Sequence, residues 1–362
     1  MNHKICWLRL QFPWMGKHSG YDLLCSAIAH LPAQNTYYSI WQNPNRPFPK
    51  GTTRFVRYCY KRAKPSSMYA LDSTAGELKL LWKNWLEKPH LSHICYVENQ
   101  LGIIPQWRKL FSGKIIGTAH QPSGWWRLTH KYPETIAALD GLIVVSKQEV
   151  DYFEQYLPRR VFYIPHGIDT DFFSSRENRE APQPPRFLYS GKHLRDLDTL
   201  AEVVDRVLAR DSSIQFDILL PNDKRLSNPT LIRLARHPQV NWYANLSDEQ
   251  LRDLYRNATA LLLPLLDCTA NNAILESMSC GLPVISNNIS GLQNYTQDSF
   301  AHLFPVGEAQ SMSEMVVTLA ERPEAAIEQG KKAREFVEKN FQWKTVAERT
   351  LEVYQRILTE KD

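Results

Sequence analysis

A chain of 362 residues with 43% hydrophobic and 22% charged content can bury two cores of ordinary size, which excludes an intrinsically disordered protein. Its six cysteines (Cys6, Cys25, Cys59, Cys95, Cys268, Cys280) show no CxxC or other metal spacing and follow no secretory apolar segment, so free thiols in a reducing cytoplasm are expected. No apolar run approaches the ~20 residues that span a bilayer, and the formal charge of +5 hides an asymmetry: residues 1–160 carry 21 Lys and Arg against 10 Asp and Glu, the remainder 22 against 28. A basic first half suits an anionic partner, which is a membrane surface, a phosphate-bearing substrate or nucleic acid.

In chain order, residues 5–10 form a first strand that runs into the loop 11–20. A helix follows, with Leu23, Leu24, Ala27, Ile28 and Leu31 at helical spacing. Strand, glycine turn and helix together make an anion-receptive element, because the first amides of a helix are unpaired and its dipole is positive there. Residues 54–64, RFVRYCYKRAK, alternate basic and aromatic side chains. As a helix they would lay cations and tyrosines along a membrane interface, and they equally suit a basic surface helix packed by its aromatics. No RNP-like or KH-like sequence accompanies them, so no nucleic-acid partner is expected. Residues 94–98 and 114–119 read as buried strands. The second ends in His120, at the strand end where polar groups point into the crevice of an α/β sheet. Residues 121–127, which include Trp125 and Arg127, read as an aromatic loop suited to stacking on a sugar. Strands at 140–146 and 161–165 follow, and the polar, proline-rich stretch 174–185 is a stiff connector.

The pattern then restarts. Residues 187–189 are a strand ending in Ser190-Gly191-Lys192-His193-Leu194-Arg195-Asp196, and the helix 196–210 places Leu197, Leu200, Val203, Val204 and Val207 on one face. A glycine turn with Lys192 and Arg195 offers a diphosphate close backbone approach and two cations. Residues 214–220, 240–243 and 260–266 continue a parallel sheet, and Ser247 with Gln250 makes a capping box. A βαβ unit closes the pattern: the strand 260–266, a helix 270–279 stopped by Gly281 and Pro283, and a strand opened by Val284. Thr269, Ala270, Asn271 and Asn272 stand at that helix's N-terminus, where an anion would sit. One turn on, Glu276 is the helix's acidic residue, a carboxylate suited to paired sugar hydroxyls. The C-terminal stretch is helical, with a break at Phe341-Gln342-Trp343.

Several of these stretches agree in order and spacing with one family. They are the loop from Gly16 to Gly20, the strand-end His120, Val144-Val-Ser-Lys147, Ile164-Pro-His-Gly-Ile-Asp169, Gly191 with Lys192 and Arg195, Leu275-Glu-Ser-Met-Ser-Cys-Gly-Leu-Pro-Val284, and Phe341-Gln-Trp343. On these residues the chain resembles the family 4 glycosyltransferases of the GT-B fold over nearly its whole length. The resemblance implies an α/β protein of two Rossmann-like, doubly wound parallel-sheet domains facing a central cleft. Residues 1–175 would bind the acceptor, residues 176–340 the nucleotide sugar, and a helix in 341–362 would cross back onto the first domain. It further implies retaining, metal-independent transfer of a sugar from a nucleotide-diphosphate sugar to a glycan or lipid-linked acceptor, in cell-envelope polysaccharide or glycolipid synthesis. No cofactor is implied, and the protein is expected in the cytoplasm, peripheral on the inner face of an anionic membrane.

By the same likeness, Lys192 and Arg195 hold the donor diphosphate and His120 lies beside the transferred sugar, the three forming the catalytic set. Gly20, Gly191, Asn271, Asn272 and Glu276 bind the donor, while His18, Ser19, Trp125 and Arg127 lie on the acceptor side. The chain departs from the family twice. The family has arginine directly after the glycine and lysine five residues on, whereas the cations here are at 192 and 195. The family also pairs two glutamates with seven residues between them, and Cys268 stands where the first belongs. Backbone amides and the carboxamides of Asn271 and Asn272 are the expected substitutes. Two other readings stay open: a nucleotide-sugar 2-epimerase of the same fold, which would need crevice carboxylates that the sequence does not cluster, and a non-catalytic nucleotide- or glycan-binding module.

Overall fold

The computed structural model describes residues 2–12, 15–42, 51–221 and 228–360. They form two compact units. The first comprises Met1–Met15, Tyr21–Gly167 and Trp343–Asp362; the second comprises Gly16–Gly20 and Ile168–Gln342.

In the first unit, β1 (Lys4–Leu10), β2 (Thr36–Gln42), β3 (Leu91–Ile94), β4 (Lys114–Ala119), β5 (Gly141–Val144) and β6 (Val161–Tyr163) make one sheet in the order β2-β1-β3-β4-β5-β6. Every pairing is parallel. Parallel strands require crossover connections and so carry helices over both faces, which is why the inner strands read as unbroken apolar runs. The chain leaves β1 for β2 on one side and resumes with β3 on the other. The loops after β1 and β3 therefore flank the switch point at which α/β sheets bind ligands. The last helix, Trp343–Thr359, packs on Leu23–His30 of this unit and buries Trp343, Val346, Ala347, Thr350, Val353, Tyr354 and Ile357.

Two expectations are corrected here. Residues 94–98 are not a strand: β3 ends at Ile94, and Val97–Gln100 is a helical turn. Ser92 and His93, polar but fully buried, disguised the true strand. Residues 121–127 are not an aromatic loop either, since Ser123–Thr129 is a helix. Its Trp126 is buried and its Trp125 packs on the same core, so those rings serve the interior. The segment 54–64 is helical over Thr53–Tyr60.

The second unit repeats the plan with β7 (Arg186–Ser190), β8 (Gln215–Leu219), β9 (Val240–Tyr243), β10 (Ala260–Leu263), β11 (Val284–Asn287) and β12 (Ala301–Phe304), ordered β12-β11-β10-β7-β8-β9 and again all parallel. Its switch point falls between β7 and β10. The strand expected over 260–266 stops at Leu263, because Pro264 has no N–H for a ladder. The loops beyond the two strands are then laced to each other: Asp196 N donates to Pro264 O (3.1 Å) and Leu266 N to Leu194 O (3.0 Å). Asp196 caps the helix Leu197–Arg210, and Ser247 with Gln250 forms the expected capping box on Asp248–Arg256. Among the described residues no helix is long and apolar enough to cross a membrane.

Candidate functional site

The second unit's switch point gathers six of the expected residues: Gly191, Lys192, Arg195, Asn271, Asn272 and Glu276. After β7 the chain turns at Gly191, whose φ of 91° is left-handed and where a Cβ would meet Arg195 Nη2 at 2.8 Å. That turn folds Arg195 back over its own loop. Its Nε donates to Ser190 O (3.1 Å), Nη1 to His193 O (3.1 Å), and Nη2 to Asn271 Oδ1 (3.4 Å). Burial holds the guanidinium somewhat below its ordinary basicity, and burial with Arg195 and Lys192 nearby holds His193 below the usual imidazole range. Lys192 is exposed on the same turn.

Asn271 caps the helix Asn272–Ser279, its Oδ1 accepting from Ile274 N (3.4 Å) as well as from Arg195. The first amides of that helix, from Asn272 onward, have no intrahelical acceptor and lie beside the tethered guanidinium. One turn on, Glu276 is only 4% exposed. Ser19 Oγ donates to its Oε1 (2.5 Å) and Tyr255 OH to its Oε2 (2.9 Å). Burial pushes the carboxyl up to about 7, while these two bonds pull the other way. Each carboxylate oxygen has a second lone pair, so a carboxylate steered in this way can still accept from a vicinal diol.

The short segment Gly16–Gly20 belongs to this unit. Lys17 N donates to Asp248 Oδ2 (2.7 Å), and a side chain at Gly16 would collide with that carboxylate. His18 stacks flat on Phe172 at 3.6 Å between ring centres and places Nδ1 2.7 Å from Asp169 Oδ2, while Arg252 lies 4.7 Å from the Phe172 ring centre. Ser19 holds Glu276, and Gly20 takes a φ of 109°. His18 and Ser19, expected on the acceptor side, thus contact Asp169, Phe172 and Glu276 of the second unit. Cys268 is buried, and its N–H donates to Asp267 Oδ1 (2.8 Å), which ties Asp267 to the neighbouring backbone.

The first unit holds His120 at the end of β4. Its ring stacks on Tyr96 (4.4 Å, 28°) and meets Tyr21 edge-on (4.5 Å, 78°). Nδ1 is 3.2 Å from Glu98 Oε1, and the backbone N–H of His120 donates to Oε2 of the same carboxylate (3.3 Å). His166, ring to ring 6.3 Å away, donates from Nδ1 to Gly167 O (2.7 Å). Burial, aided by His120, pushes His166 down to about 3. Trp125 and Arg127 sit on the neighbouring helix, and the Arg127 guanidinium lies 5.1 Å from the Tyr152 ring centre. Sequence reasoning missed Tyr255, Tyr96 and Glu98; of these only Glu98, an acid in an apolar run, carried a signal. Among the described residues no group of three or more His, Cys, Asp or Glu side chains is arranged to hold a metal ion.

Residues 184–322 match the family described as Glycosyl transferases group 1. The chain is 25% identical over 246 residues to D-inositol 3-phosphate glycosyltransferase 2 of Catenulispora acidiphila, covering 62% of this chain and 57% of that protein. It is 23% identical over 258 residues to the MMP alpha-(1->4)-mannosyltransferase of Mycolicibacterium hassiacum, covering 70% and 60%. The chain therefore spans under two thirds of the length of these curated relatives. Among solved structures, sucrose-phosphate synthase from Thermosynechococcus elongatus superposes with a TM-score of 0.75 at 17% identity over 98% of this chain and 99% of that one.

Proposed function

We propose that the chain is a group 1, family 4 glycosyltransferase of the GT-B fold, which moves a sugar from a nucleotide-diphosphate sugar to a glycan or lipid-linked acceptor with retention at the anomeric carbon. The observation that carries the reading is the grouping of Arg195, Asn271 and Glu276 around one helix N-terminus at the second sheet's switch point. In this reading Arg195, with Lys192 on the same turn, offsets the charge growing on the departing diphosphate, and the free amides from Asn272 add the helix end. Glu276 holds the ribose hydroxyls. A phosphate oxygen takes the proton of the attacking hydroxyl, which approaches the face the diphosphate leaves, so neither a protein nucleophile nor a metal is required. His120, fixed by Glu98 and two tyrosine rings, serves the transferred sugar.

Incubation with a panel of nucleotide sugars, with and without a chelator, tests this reading. Free nucleotide and a new glycoside with an unchanged anomeric configuration are expected in both arms. An altered sugar without transfer points to an epimerase, and a bound but unchanged donor to a binding module.

Cys268 makes a sharper test. With no carboxylate at that position, Cys268→Ala should leave turnover within a few-fold. Asn272→Ala should lower turnover of the intact donor while sparing binding of the bare nucleotide, measured by calorimetry. Loss of transfer in Cys268→Ala alone would give the cysteine a direct role and overturn this account.

The acceptor is proposed to be presented at an anionic membrane. The helix Thr53–Tyr60 buries Val56 and Cys59 but leaves Phe55 55% and Tyr58 52% exposed among Arg54, Arg57, Lys61 and Arg62. The helix packed beside it, Leu71–Glu87, exposes Trp82 (64%) and Trp85 (69%). Aromatics of that size left in water next to cations suit the boundary between headgroups and acyl chains. Flotation with anionic vesicles is expected at low salt and should fade as salt screens the charges. Equal indifference to anionic and neutral vesicles would remove the membrane from the proposal.

A further inference from the structure

Below His120, the first unit contains a chain of buried polar side chains that the transfer reaction does not use. Trp7 Nε1 donates to the hydroxyl of Tyr354 (3.1 Å), on the last helix. That hydroxyl is 2.6 Å from His93 Nδ1, His93 Nε2 is 2.8 Å from Thr118 Oγ1, and Thr118 Oγ1 is 3.1 Å from the hydroxyl of Tyr21. None of the five side chains is more than 2% exposed. An indole N–H can only donate, so Tyr354 oxygen accepts from Trp7, while the sense of its bond with His93 Nδ1 is set by the His93 tautomer. Burial pushes His93 down to about 3, so the ring is neutral. The neutral ring carries one N–H, so one nitrogen donates and the other accepts, and the hydrogen-bonded chain runs through it unbroken in either tautomer.

Its far end is the wall around His120. Tyr21 directly follows Gly20, its ring meets His120 edge-on, and its backbone N–H donates to Tyr96 OH (3.1 Å), the residue whose ring stacks on His120. A core needing only stability is served as well by apolar groups of the same volume, because each buried polar atom must find a partner. Here five polar groups in series link the last helix to both rings that fix the histidine.

We propose that Tyr354 and His93 are positioning residues for His120, which act through Thr118 and Tyr21 to fix the orientation of its imidazole. The proposal rests on the transferase reading for its effect on rate, but not for its effect on the ring. Two readouts are therefore taken on Tyr354→Phe and on the pair Thr118→Val and Thr118→Ser: steady-state transfer kinetics, and the imidazole NMR shifts of His120. Thr350→Val, on the same helix but with a hydroxyl that donates to Val346 O of its own helix, is the stability control. Tyr354→Phe and Thr118→Val are expected to lower kcat about tenfold at unchanged donor KM, the scale of a small misplacement of a reacting group, and to move the His120 resonances. Thr118→Ser should restore both, and Thr350→Val should change neither. If Tyr354→Phe and Thr118→Val fold and leave the His120 resonances in place, the proposal is overturned whatever the kinetics. Should the wild type turn over no nucleotide sugar while those resonances still shift, the positioning stands and the transferase reading fails.

Discussion

Nucleotide affinity is expected to drop by at least about a hundredfold in Glu276→Ala, since the carboxylate is assigned two ribose hydroxyls and each hydrogen bond to a charged group contributes roughly 1.5–3 kcal/mol. The substitution also strands the donors of Ser19 and Tyr255, which converge on Glu276. A companion Glu276→Gln keeps the volume and one acceptor and should lose less. The pH dependence has a definite sign. Burial raises the carboxyl from 4.5 to about 7, so the native protein holds a proton there that the unfolded chain releases. Between those values, ionisation weakens the apo fold as pH rises. Nucleotide binding, which uses the ionised form, runs the other way: affinity should level off above about pH 8 and fall about tenfold per unit well below 7. Calorimetric titrations from pH 5.5 to 8.5 check both points. An affinity independent of pH, or a Gln variant that keeps the wild-type slope, would remove Glu276 from the nucleotide.

Arg195→Ala is expected to cost kcat about a hundredfold to a thousandfold, the range for removing one preorganised donor aimed at developing charge. The expectation follows from its tethers. Three of its N–H groups are committed to Ser190 O, His193 O and Asn271 Oδ1, so the fork is fixed before substrate arrives and nothing is reorganised during reaction. Arg195→Lys keeps the charge but cannot make those three bonds at once, and should recover only a small part of the rate. Lys192, exposed on the same turn, should cost less when replaced. Rapid-quench measurement of transfer by each variant ranks them, and equal losses at 192 and 195 would mean that the tethers carry no advantage.

Much of the fold was legible because parallel strands covered on both faces write themselves as apolar runs; residues 114–119 coincide with β4. What escaped was polar or half-exposed. β2, at the sheet edge, is half-exposed over its first three residues, alternates only from Ser39 to Gln42 and shows no long apolar run. The sequence places β3 three residues late, because Ser92 and His93 are polar yet fully buried, His93 being held there by hydrogen bonds to Tyr354 and Thr118. The placing of Arg195, Asn271 and Glu276 at one helix end was readable because loop, cap and first helical turn are local features. Tyr255 was not, because its hydroxyl reaches a carboxylate 21 residues away through the packing of two helices, and no local pattern encodes that. The bond from Ser19 to Glu276 is hidden for the same reason: the two residues lie 257 positions apart in the chain.

The last helix belongs to the first unit, and this sets an order of events during synthesis. Trp7 finds its partner on Tyr354, 347 residues later, and at typical translation speeds roughly 20–70 s separate the emergence of the two. The second unit is contiguous from Ile168 to Gln342 apart from five residues, so its sheet can close while the first still lacks its covering helix. The half of the chain made first is therefore finished last. During that interval the surface of Leu23–His30 that later meets Trp343–Thr359 stands open to solvent and to any chaperone that recognises exposed apolar helices.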